Sequence, residues 1–237
     1  MHDLYDDFAK VYDECGVDDY SLSFGKGMLK YLDLIHPDES FKKNLDICCG
    51  TGTLCGFFKD NGIKTKGVDI SNEMIKVAQS KYPDIEFVTC DVSKYRDDET
   101  YDFITCSDDA LQHITNIDDI KKTIKNVNKL LRPNGLFILD LNNFNLISFE
   151  KRNKSLDETR RLVYQLHREN ELVCYNVKYY ENDELLWENN VFELDISVDE
   201  LTQMLNDEGF ILESCSQHFF FEKQIKKWKL VYKKTDD

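Results

Sequence analysis

Short apolar runs alternate with stretches of helical periodicity from residue 43 to residue 142. A buried parallel strand reads as a short apolar run, whereas an amphipathic helix repeats its apolar residues about every 3.6 positions. Strict alternation of the two is typical of a parallel sheet joined by right-handed crossovers. The predicted elements are helices over 3–16 and 19–36, strand 44–49, helix 53–62, strand 64–69, helix 71–81, strands 85–89 and 101–106, helix 117–131 and strand 135–141.

The pattern changes after Asn143, where period-2 alternation fills residues 158–196. Alternating runs such as Leu172–Tyr180, separated from the next run by Asn182-Asp183, predict an antiparallel meander. The segment Ser197–Glu200 has the sequence of a capping box, which begins a helix. The remaining predicted elements are that helix, running to about Glu208 and ended by Gly209, and strands over 211–221 and 226–233.

Together these elements predict one α/β domain, a mostly parallel seven-stranded sheet with helices on both faces and an antiparallel insertion after the fifth strand. The insertion is expected above the carboxyl ends of the strands, where it would wall a substrate pocket. A homodimer interface is the equal alternative, because a sheet face with Tyr175, Tyr179 and Trp187 needs cover. The expected segments are N-terminal helices that close the site (1–40), a ligand-binding core (41–143), the insertion (155–197) and the final helix and strands (198–237).

Composition argues against a membrane protein and against a disulfide scaffold. The chain of 237 residues is 41% hydrophobic, and no run approaches the ~18 apolar residues of a membrane span. The acidic start, Met1–Asp7, has no signal-peptide pattern. Eight cysteines without a C-x-x-C pair are expected to be thiols in a reducing compartment, with no metal site. A cytoplasmic protein is therefore expected.

The net charge of −15 disfavours nucleic acid as a partner, because such binding depends on cationic surfaces. Two basic stretches, Lys151–Lys154 with Arg160-Arg161 and Lys223–Lys234, are interpreted as a solvated loop and a charged edge strand. A small-molecule partner is favoured over DNA, and RNA and protein stay open as alternatives.

The segment Leu45–Leu54 carries the clearest functional signal. Its apolar, β-prone part ends in the turn Gly50-Thr51-Gly52, and a helix-compatible run to Asn61 follows. Glycine lets the backbone approach a ligand closely, because it has no Cβ. The unpaired N–H groups of the following helix point at the same place. This arrangement is typical of a nucleotide-like ligand at the edge of an open α/β sheet.

The details of this turn argue against a dinucleotide. The third glycine, Gly56, comes one position later than the G-x-G-x-x-G pattern requires, and there is no phosphate-binding P-loop sequence. Asp46 would repel a pyrophosphate but suits a cationic group. Asp69 ends the next apolar run, 17 residues after Gly52, where an acid binds ribose hydroxyls. The inferred ligand has a ribose, an adenine and a positive charge but no phosphate, and a dehydrogenase is excluded.

This combination resembles the Rossmann-like methyltransferases that use S-adenosylmethionine. Their D-x-x-C-G-T-G signature is present, with Cys48 at a position where many members have glycine. The order of the further matching segments is also that of the family. The matching segments are Asp46–Gly52, Val68–Met74, Cys90–Val92, Tyr101–Cys106 and Leu130–Ile138.

The resemblance implies roles at the cofactor. Asp46 would lie near the methionyl ammonium, and Asp69 would bind the ribose hydroxyls. Asp46 could instead be a structural turn acid, and Asp91, expected at the adenine edge, could instead be a helix cap. The residues expected at the cofactor are Tyr5, Tyr12, Asp46, Cys48, Gly50, Thr51, Gly52, Asp69, Ile70, Met74, Cys90, Asp91, Val92, Cys106 and Ser107.

Tyr12 and His113 are the predicted catalytic residues. The segment Tyr5–Asp13 resembles the N-terminal segment of methyltransferases that act on small amines and sugars, in which the second tyrosine closes the site. The alternative for these tyrosines is a helix packing face. His113 matches a position near the acceptor amine in relatives that N-methylate amino sugars, and histidine removes protons near neutral pH. The alternative is a surface or capping histidine.

Four further polar residues follow strands at the same expected edge. Asp108 and Asp109 could bind a cationic amine, or one of them could cap the short helix that follows, which is the preferred interpretation. Asp140 and Asn142 are predicted to contact the acceptor.

The sequence therefore predicts transfer of a methyl group to nitrogen or oxygen of a small molecule. The DNA-base methylators of this family carry a D/N-P-P-[FYW] motif, which is absent here. Two alternatives remain, namely methylation of tRNA or protein, and a non-catalytic relative that binds the cofactor or a partner.

Overall fold

The structure, a computed structural model, describes residues 8–37, 40–146, 151–220 and 225–236. Tyr5 and the start of the first predicted helix lie outside these residues. The helices are α1 (Val17–Ile35), α2 (Thr53–Asp60), α3 (Asn72–Lys81), α4 (Ile117–Leu130) and α5 (Val198–Asp207). The strands are β1 (Lys43–Ile47), β2 (Lys64–Asp69), β3 (Glu86–Thr89), β4 (Tyr101–Cys106), β5 (Leu131–Asn142), β6 (Arg152–Ser155), β7 (Arg160–Glu169), β8 (Leu172–Glu181), β9 (Glu184–Leu194), β10 (Phe210–Phe220) and β11 (Ile225–Lys234).

A seven-stranded sheet forms the centre of the fold, in the order β10-β11-β5-β4-β1-β2-β3. The pairs among β1 to β5 are parallel, and β11 and β10 add two antiparallel strands beside β5. Helices α1 and α2 bury apolar residues such as Met28 and Phe58 on one face, and α4 and α5 bury Ile124 and Leu201 on the other. The predicted mostly parallel sheet with helices on both faces is confirmed.

The insertion after β5 is a separate antiparallel sheet in the order β6-β7-β8-β9. Asn182 and Asp183 form the turn between β8 and β9, and both have positive φ. The predicted insertion is therefore confirmed, but its first strand, β6, was missed. The polar segment Arg152–Ser155 lacks the alternation that identifies a strand from sequence.

Part of the first predicted helix is not α-helical. Residues 9–12 form turns and Asp13–Cys15 form a 3-10 helix, so the prediction over 3–16 is wrong for residues 9–16. Val11 is buried against the second sheet, and this tertiary packing overrides the helical periodicity. Gly16, at φ +77°, then separates the segment from α1.

The same segment covers the aromatic face of the second sheet. Trp187 stacks on Tyr179 with ring centroids 5.4 Å apart, and Phe8 meets Trp187 edge-on at 6.3 Å. The reason for expecting a dimer interface on this face was its need for cover, and the chain itself supplies that cover. Across the described ranges no helix is long and apolar enough to span a bilayer.

Candidate active site

A cavity of about 820 Å³ lies between the carboxyl edge of the parallel strands and the inner face of the second sheet. Parallel strands end at the same edge, so the loops after β1, β2, β3, β4 and β5 all reach it. Asp46, Thr51, Gly52 and Cys106 do not line this cavity. The predicted residues that do line it are Tyr12, Cys48, Gly50, Asp69, Ile70, Met74, Cys90, Asp91, Val92, Ser107 and His113.

The turn after β1 has the backbone shape that its glycines suggest. Gly50 and Gly52 have φ values of +52° and +77°, which favour glycine. A Cβ on Gly52 would come within 2.7 Å of the Phe87 ring, so glycine is also required for packing. Cys48, where many members of the family have glycine, is held at φ +56°. The turn therefore has a positive φ at Cys48 as well as at its two glycines.

Asp69 links the end of β2 to this turn. Its Oδ2 accepts a hydrogen bond of 2.9 Å from the Gly50 backbone N–H, and its Oδ1 accepts one of 2.8 Å from the Ser71 N–H. Ile70 beside it lines the cavity and is 64% exposed. An exposed isoleucine next to a fixed carboxylate suits a ligand with an adenine ring and a ribose.

Asp46 has a different position from that predicted. It is 1% exposed, and its carboxyl accepts hydrogen bonds from Thr105 Oγ1 at 2.6 Å and Cys55 Sγ at 3.7 Å. Burial raises the pKa of Asp46 to about 7. These contacts match the alternative interpretation, a structural acid below the turn.

Asp91 lines the cavity, but its carboxylate bonds to neighbouring residues of the same loop. Oδ1 accepts hydrogen bonds from the backbone N–H and the hydroxyl of Ser93, at 2.9 and 2.7 Å, and Oδ2 pairs with Lys94. The Lys94 ammonium and the Ser93 hydrogen bonds lower the pKa of Asp91. The carboxylate thus caps the turn after β3 rather than a helix, and Asp91 and Val92 both line the cavity.

Tyr12 bridges the two halves of the cavity. Its hydroxyl donates a 3.3 Å hydrogen bond to Oδ2 of Asp108, and its ring lies 3.7 Å from the position of a Cβ on Gly50. The side chain therefore stands between the glycine turn and the residues after β4, which is where a closing tyrosine would be needed.

His113 ends the short 3-10 helix Ala110–His113 after β4. Its side chain is 25% exposed, and its Nε2 lies 3.8 Å from Oε1 of Glu193. Burial lowers the pKa of His113 to about 4. The imidazole is therefore neutral near pH 7, and it is a weaker proton acceptor than an unperturbed histidine.

Buried carboxyl groups surround one ammonium at the centre of the site. Lys227 Nζ lies 2.5 Å from Oδ1 of Asp108 and 3.4 Å from Oδ2 of Asp140, and it pairs with Asp109. Lys227 occupies β11 opposite Asn142, because β11 runs antiparallel to β5. The interpretation of residues 223–234 as a charged edge strand is wrong for the described part, since β11 lies between β10 and β5.

The preferred interpretation, that Asp108 or Asp109 caps the short helix, does not hold for Asp109, the residue at the N-cap position. Asp109 precedes the 3-10 helix with φ +52°, and its side chain makes no capping hydrogen bond. The carboxyl instead contacts Lys227 and accepts a hydrogen bond from the Asn142 amide, whose Nδ2 also lies 3.0 Å from Oε2 of Glu193. The pair Asp109 and Glu193 is therefore joined through one amide at the cavity wall.

This cluster places three carboxyl groups on the one ammonium of Lys227, with Glu193 beside them. Burial raises the pKa of Asp109 to about 7, and burial with the neighbouring Asp109 carboxyl raises the pKa of Glu193 well above its ordinary value. Burial also opposes ionisation of Asp108, but Lys227 outweighs it and lowers that pKa.

The metal-ligating atoms of Asp109, His113 and Glu193 lie within 4.8 Å of one another, a donor set that a divalent cation could use.

Sequence reasoning missed Glu193, Lys227 and Arg152. Glu193 faces inward on β9 in register with Val173, so an acid at an inward position of an alternating strand was the available signal. Residues Arg152–Lys154 lie in β6 and line the cavity, so their interpretation as a solvated loop is wrong.

The comparisons with known proteins agree with this geometry. Residues 45–135 match the family described as methyltransferase domain. The fold resembles an S-adenosylmethionine-dependent methyltransferase from Clostridium acetobutylicum ATCC 824, with a TM-score of 0.82 and 22% identity over 98% of this chain and 100% of that one. It also resembles CalS10, an amino pentose methyltransferase from Micromonospora echinaspora, with a TM-score of 0.78 and 14% identity over 95% of this chain and 97% of that one.

Among sequence relatives, the demethylmenaquinone methyltransferase of Chlorobaculum tepidum is 30% identical over 144 residues, 57% of this chain and 56% of that protein. The chain spans about half the length of the curated relatives it matches. The matched segment contains the glycine turn, Asp69, Asp91 and His113, which all contribute to the cavity wall.

Proposed function

We propose that this chain, which carries a methyltransferase domain with the Rossmann-like fold, transfers a methyl group from S-adenosylmethionine to the nitrogen of a small-molecule amine. The observation that carries the proposal is the continuity of one cavity. The glycine turn and Asp69 line one end, and the buried carboxyl cluster around Lys227 lines the other.

The residues at the first end suit the cofactor. The Asp69 carboxylate is fixed by two backbone N–H groups and can accept further hydrogen bonds from ribose hydroxyls. Ile70 and Met74 offer apolar surface for an adenine ring. S-adenosylmethionine, when bound, supplies an electrophilic methyl group on a sulfonium, so the protein mainly has to align the acceptor and exclude water.

The residues at the second end suit a cationic acceptor. Asp108, Asp109 and Asp140 pair with the ammonium of Lys227, and Glu193 is joined to Asp109 through the Asn142 amide. An incoming ammonium group would supply the missing positive charge, and ionised carboxylates would hold it by charge-assisted hydrogen bonds. A neutral hydroxyl acceptor would leave the charge deficit in place, so the cluster favours nitrogen over oxygen.

The same carboxyl groups can accept the proton that the acceptor loses. The bound ammonium must lose a proton before its lone pair attacks the methyl carbon. A carboxyl with a pKa of about 7, such as Asp109, is matched to accept a proton near neutral pH. As the carbon–nitrogen bond forms, the carbon–sulfur bond breaks and its electron pair stays on sulfur. Neutral His113 faces Glu193 and would orient the amine.

The second sheet acts as the wall of the acceptor pocket, and Tyr12 closes the site over the cofactor. One of the structural neighbours acts on an amino pentose, as its name states, which agrees with an amine acceptor.

The first test is calorimetric titration with S-adenosylmethionine and S-adenosylhomocysteine, with NAD as the control ligand. Micromolar binding of the two sulfur compounds and none of NAD is expected, and failure to bind either sulfur compound would remove the proposed activity. Transfer of a labelled methyl group to matched pairs of amines and alcohols then tests the acceptor atom. We expect transfer to amines alone.

A variant pair tests the carboxyl cluster. Glu193→Gln should lower methyl transfer to the amine by about 10²-fold, with unchanged affinity for S-adenosylmethionine, because an amide cannot ionise to hold the incoming ammonium. Glu188→Gln is the matched control on the same strand, since Glu188 pairs with Lys178 outside the cavity. Equal turnover of the two variants would show that the cluster does not bind the acceptor.

A further inference from the structure

The inner face of the second sheet carries opposite charges on its two edge strands. Glu193 lies on β9 in the carboxyl cluster, and Arg152 lies on β6 at the other edge of the sheet. Tyr164 and Val177 line the cavity between them. The acceptor side of the cavity therefore runs from an acidic end to a basic end.

The guanidinium of Arg152 includes a buried nitrogen that the described part of the protein does not satisfy. Its Nη2 is buried, and among the described residues it has no hydrogen-bond partner. A guanidinium N–H group without an acceptor is costly when buried, and native proteins usually satisfy such groups. Lys154 lines the same part of the cavity, so positive charge is concentrated there. An anionic ligand group would satisfy the unpaired nitrogen.

The strand register gives the separation of the two ends. Arg152 pairs with Tyr164, Tyr164 with Val177 and Val177 with Asn189, and Glu193 lies four residues further along β9. Three strand spacings and four residues of strand place the Cα atoms of Arg152 and Glu193 about 19 Å apart. A molecule that contacts both ends must be extended, and a small free amine would reach only one of them.

We propose that Arg152 binds an oxyanion group of the acceptor, a phosphate or a carboxylate, while the acceptor's amine lies at the carboxyl cluster. This inference rests on the proposed function and narrows its substrate class to an extended amine with an anionic group at a distance. The planar guanidinium suits either oxyanion, because its N–H groups match two oxygens at once.

The test uses inorganic phosphate and acetate as probes of the full chain saturated with S-adenosylhomocysteine. Ligand-observed NMR titration should show saturable binding of at least one probe in the millimolar range. Arg152→Gln should weaken that binding about tenfold or more, since a charge-assisted contact is lost. Arg161→Gln is the matched control, because Arg161 lies on β7 and pairs with Asp183 at the turn of the sheet.

The outcomes separate this inference from the proposed function. Weaker probe binding in Arg152→Gln, with unchanged binding in Arg161→Gln and unchanged S-adenosylhomocysteine affinity, supports the anion subsite. Absence of saturable binding, or equal binding in all three proteins, overturns it while leaving the methyltransferase proposal intact. If Arg152→Gln does not fold, Arg152→Lys takes its place. This variant keeps the positive charge but loses the paired N–H donors of the guanidinium, so it should bind the probes more weakly than the wild type.

Discussion

The backbone N–H of Gly50 donates a hydrogen bond to the carboxylate of Asp69 across the ends of two neighbouring strands, at 2.9 Å. This bond connects the two sequence features that first indicated a nucleoside ligand. The glycine turn is therefore held by the acid that is proposed to bind the ribose, so that the loop and the acid form one preorganised unit.

Removing the Asp69 carboxylate should weaken binding of the cofactor before it affects other properties. Asp69→Ala is expected to reduce affinity for S-adenosylmethionine about 10- to 100-fold. The substitution removes both the charge-assisted hydrogen bonds to the ribose and the hydrogen bond from Gly50 that fixes the turn. Calorimetric titration measures the change. Asp84→Ala is the control, since Asp84 is an exposed partner of Lys59. Equal affinities of the two variants would contradict the assigned role.

His113 should affect turnover rather than cofactor binding. His113→Ala is expected to lower kcat about 10²-fold with little change in S-adenosylmethionine affinity. Since the pKa of His113 is lowered to about 4, loss of activity through its protonation should begin only near that pH. The control is His167→Ala, an exposed histidine on β7 that pairs with Glu169. Parallel losses of turnover and affinity would mean that His113 only maintains structure.

Lys227 should be essential for folding stability. Lys227→Met leaves Asp108, Asp109 and Asp140 without their cation, and loss of one partner of a buried ion pair costs about 3–5 kcal/mol. Urea denaturation near pH 7 measures the loss. The exposed Lys122→Met, which breaks a surface pair with Asp119, should change the midpoint little. Similar midpoints for both variants would contradict the central place of Lys227.

Asp46 should make the fold less stable as the pH rises. Its folded-state pKa is raised to about 7, so the folded chain binds more protons than the unfolded chain between pH 4 and pH 7. The stability that the protonated form contributes is therefore present at low pH and is lost as the pH rises through this window, by at most about 4 kcal/mol. Asp46→Asn should flatten this part of the stability curve, and an unchanged slope in urea titrations at several pH values would refute the assignment.

Cys48 should be the strained position of the turn. Its φ of +56° favours glycine, so Cys48→Gly is expected to be neutral or to raise the free energy of unfolding by about 0.5–1 kcal/mol. Cys90→Gly, in the loop after β3 at an unstrained position, is the control and should destabilise. Destabilisation of Cys48→Gly by more than the control would show that its thiol contacts outweigh the backbone strain.

The elements of the parallel core were predictable because local signals determine them. The apolar runs, Ser71 as a helix cap, the capping box at Ser197 and the glycine turn all follow from a few neighbouring residues. Segment 9–12 and strand β6 were mispredicted because their structure depends on packing between distant parts of the chain, which periodicity does not report.

The charged cluster could be predicted only in part. Asp108, Asp109 and Asn142 follow β4 or end β5, so their arrival at the carboxyl edge follows from the parallel order. Lys227 and Glu193 reach it only because β11 runs antiparallel beside β5 and the second sheet folds over the edge. A lysine in a basic stretch gives no local sign of that destination. An acid at an inward position of an alternating strand signals burial, but it does not say which groups it will meet.

The second sheet contributes to the cavity from one uninterrupted stretch of chain, β6 to β9, whereas the cofactor end is assembled from loops spread over the parallel core. A recombination event or an engineered graft could therefore exchange the acceptor wall in a single step without disturbing the glycine turn or Asp69. Under the proposed function, such a layout lets the range of acceptors diversify while the methyl donor stays the same, and it identifies residues 152–194 as the natural unit for building chimeras.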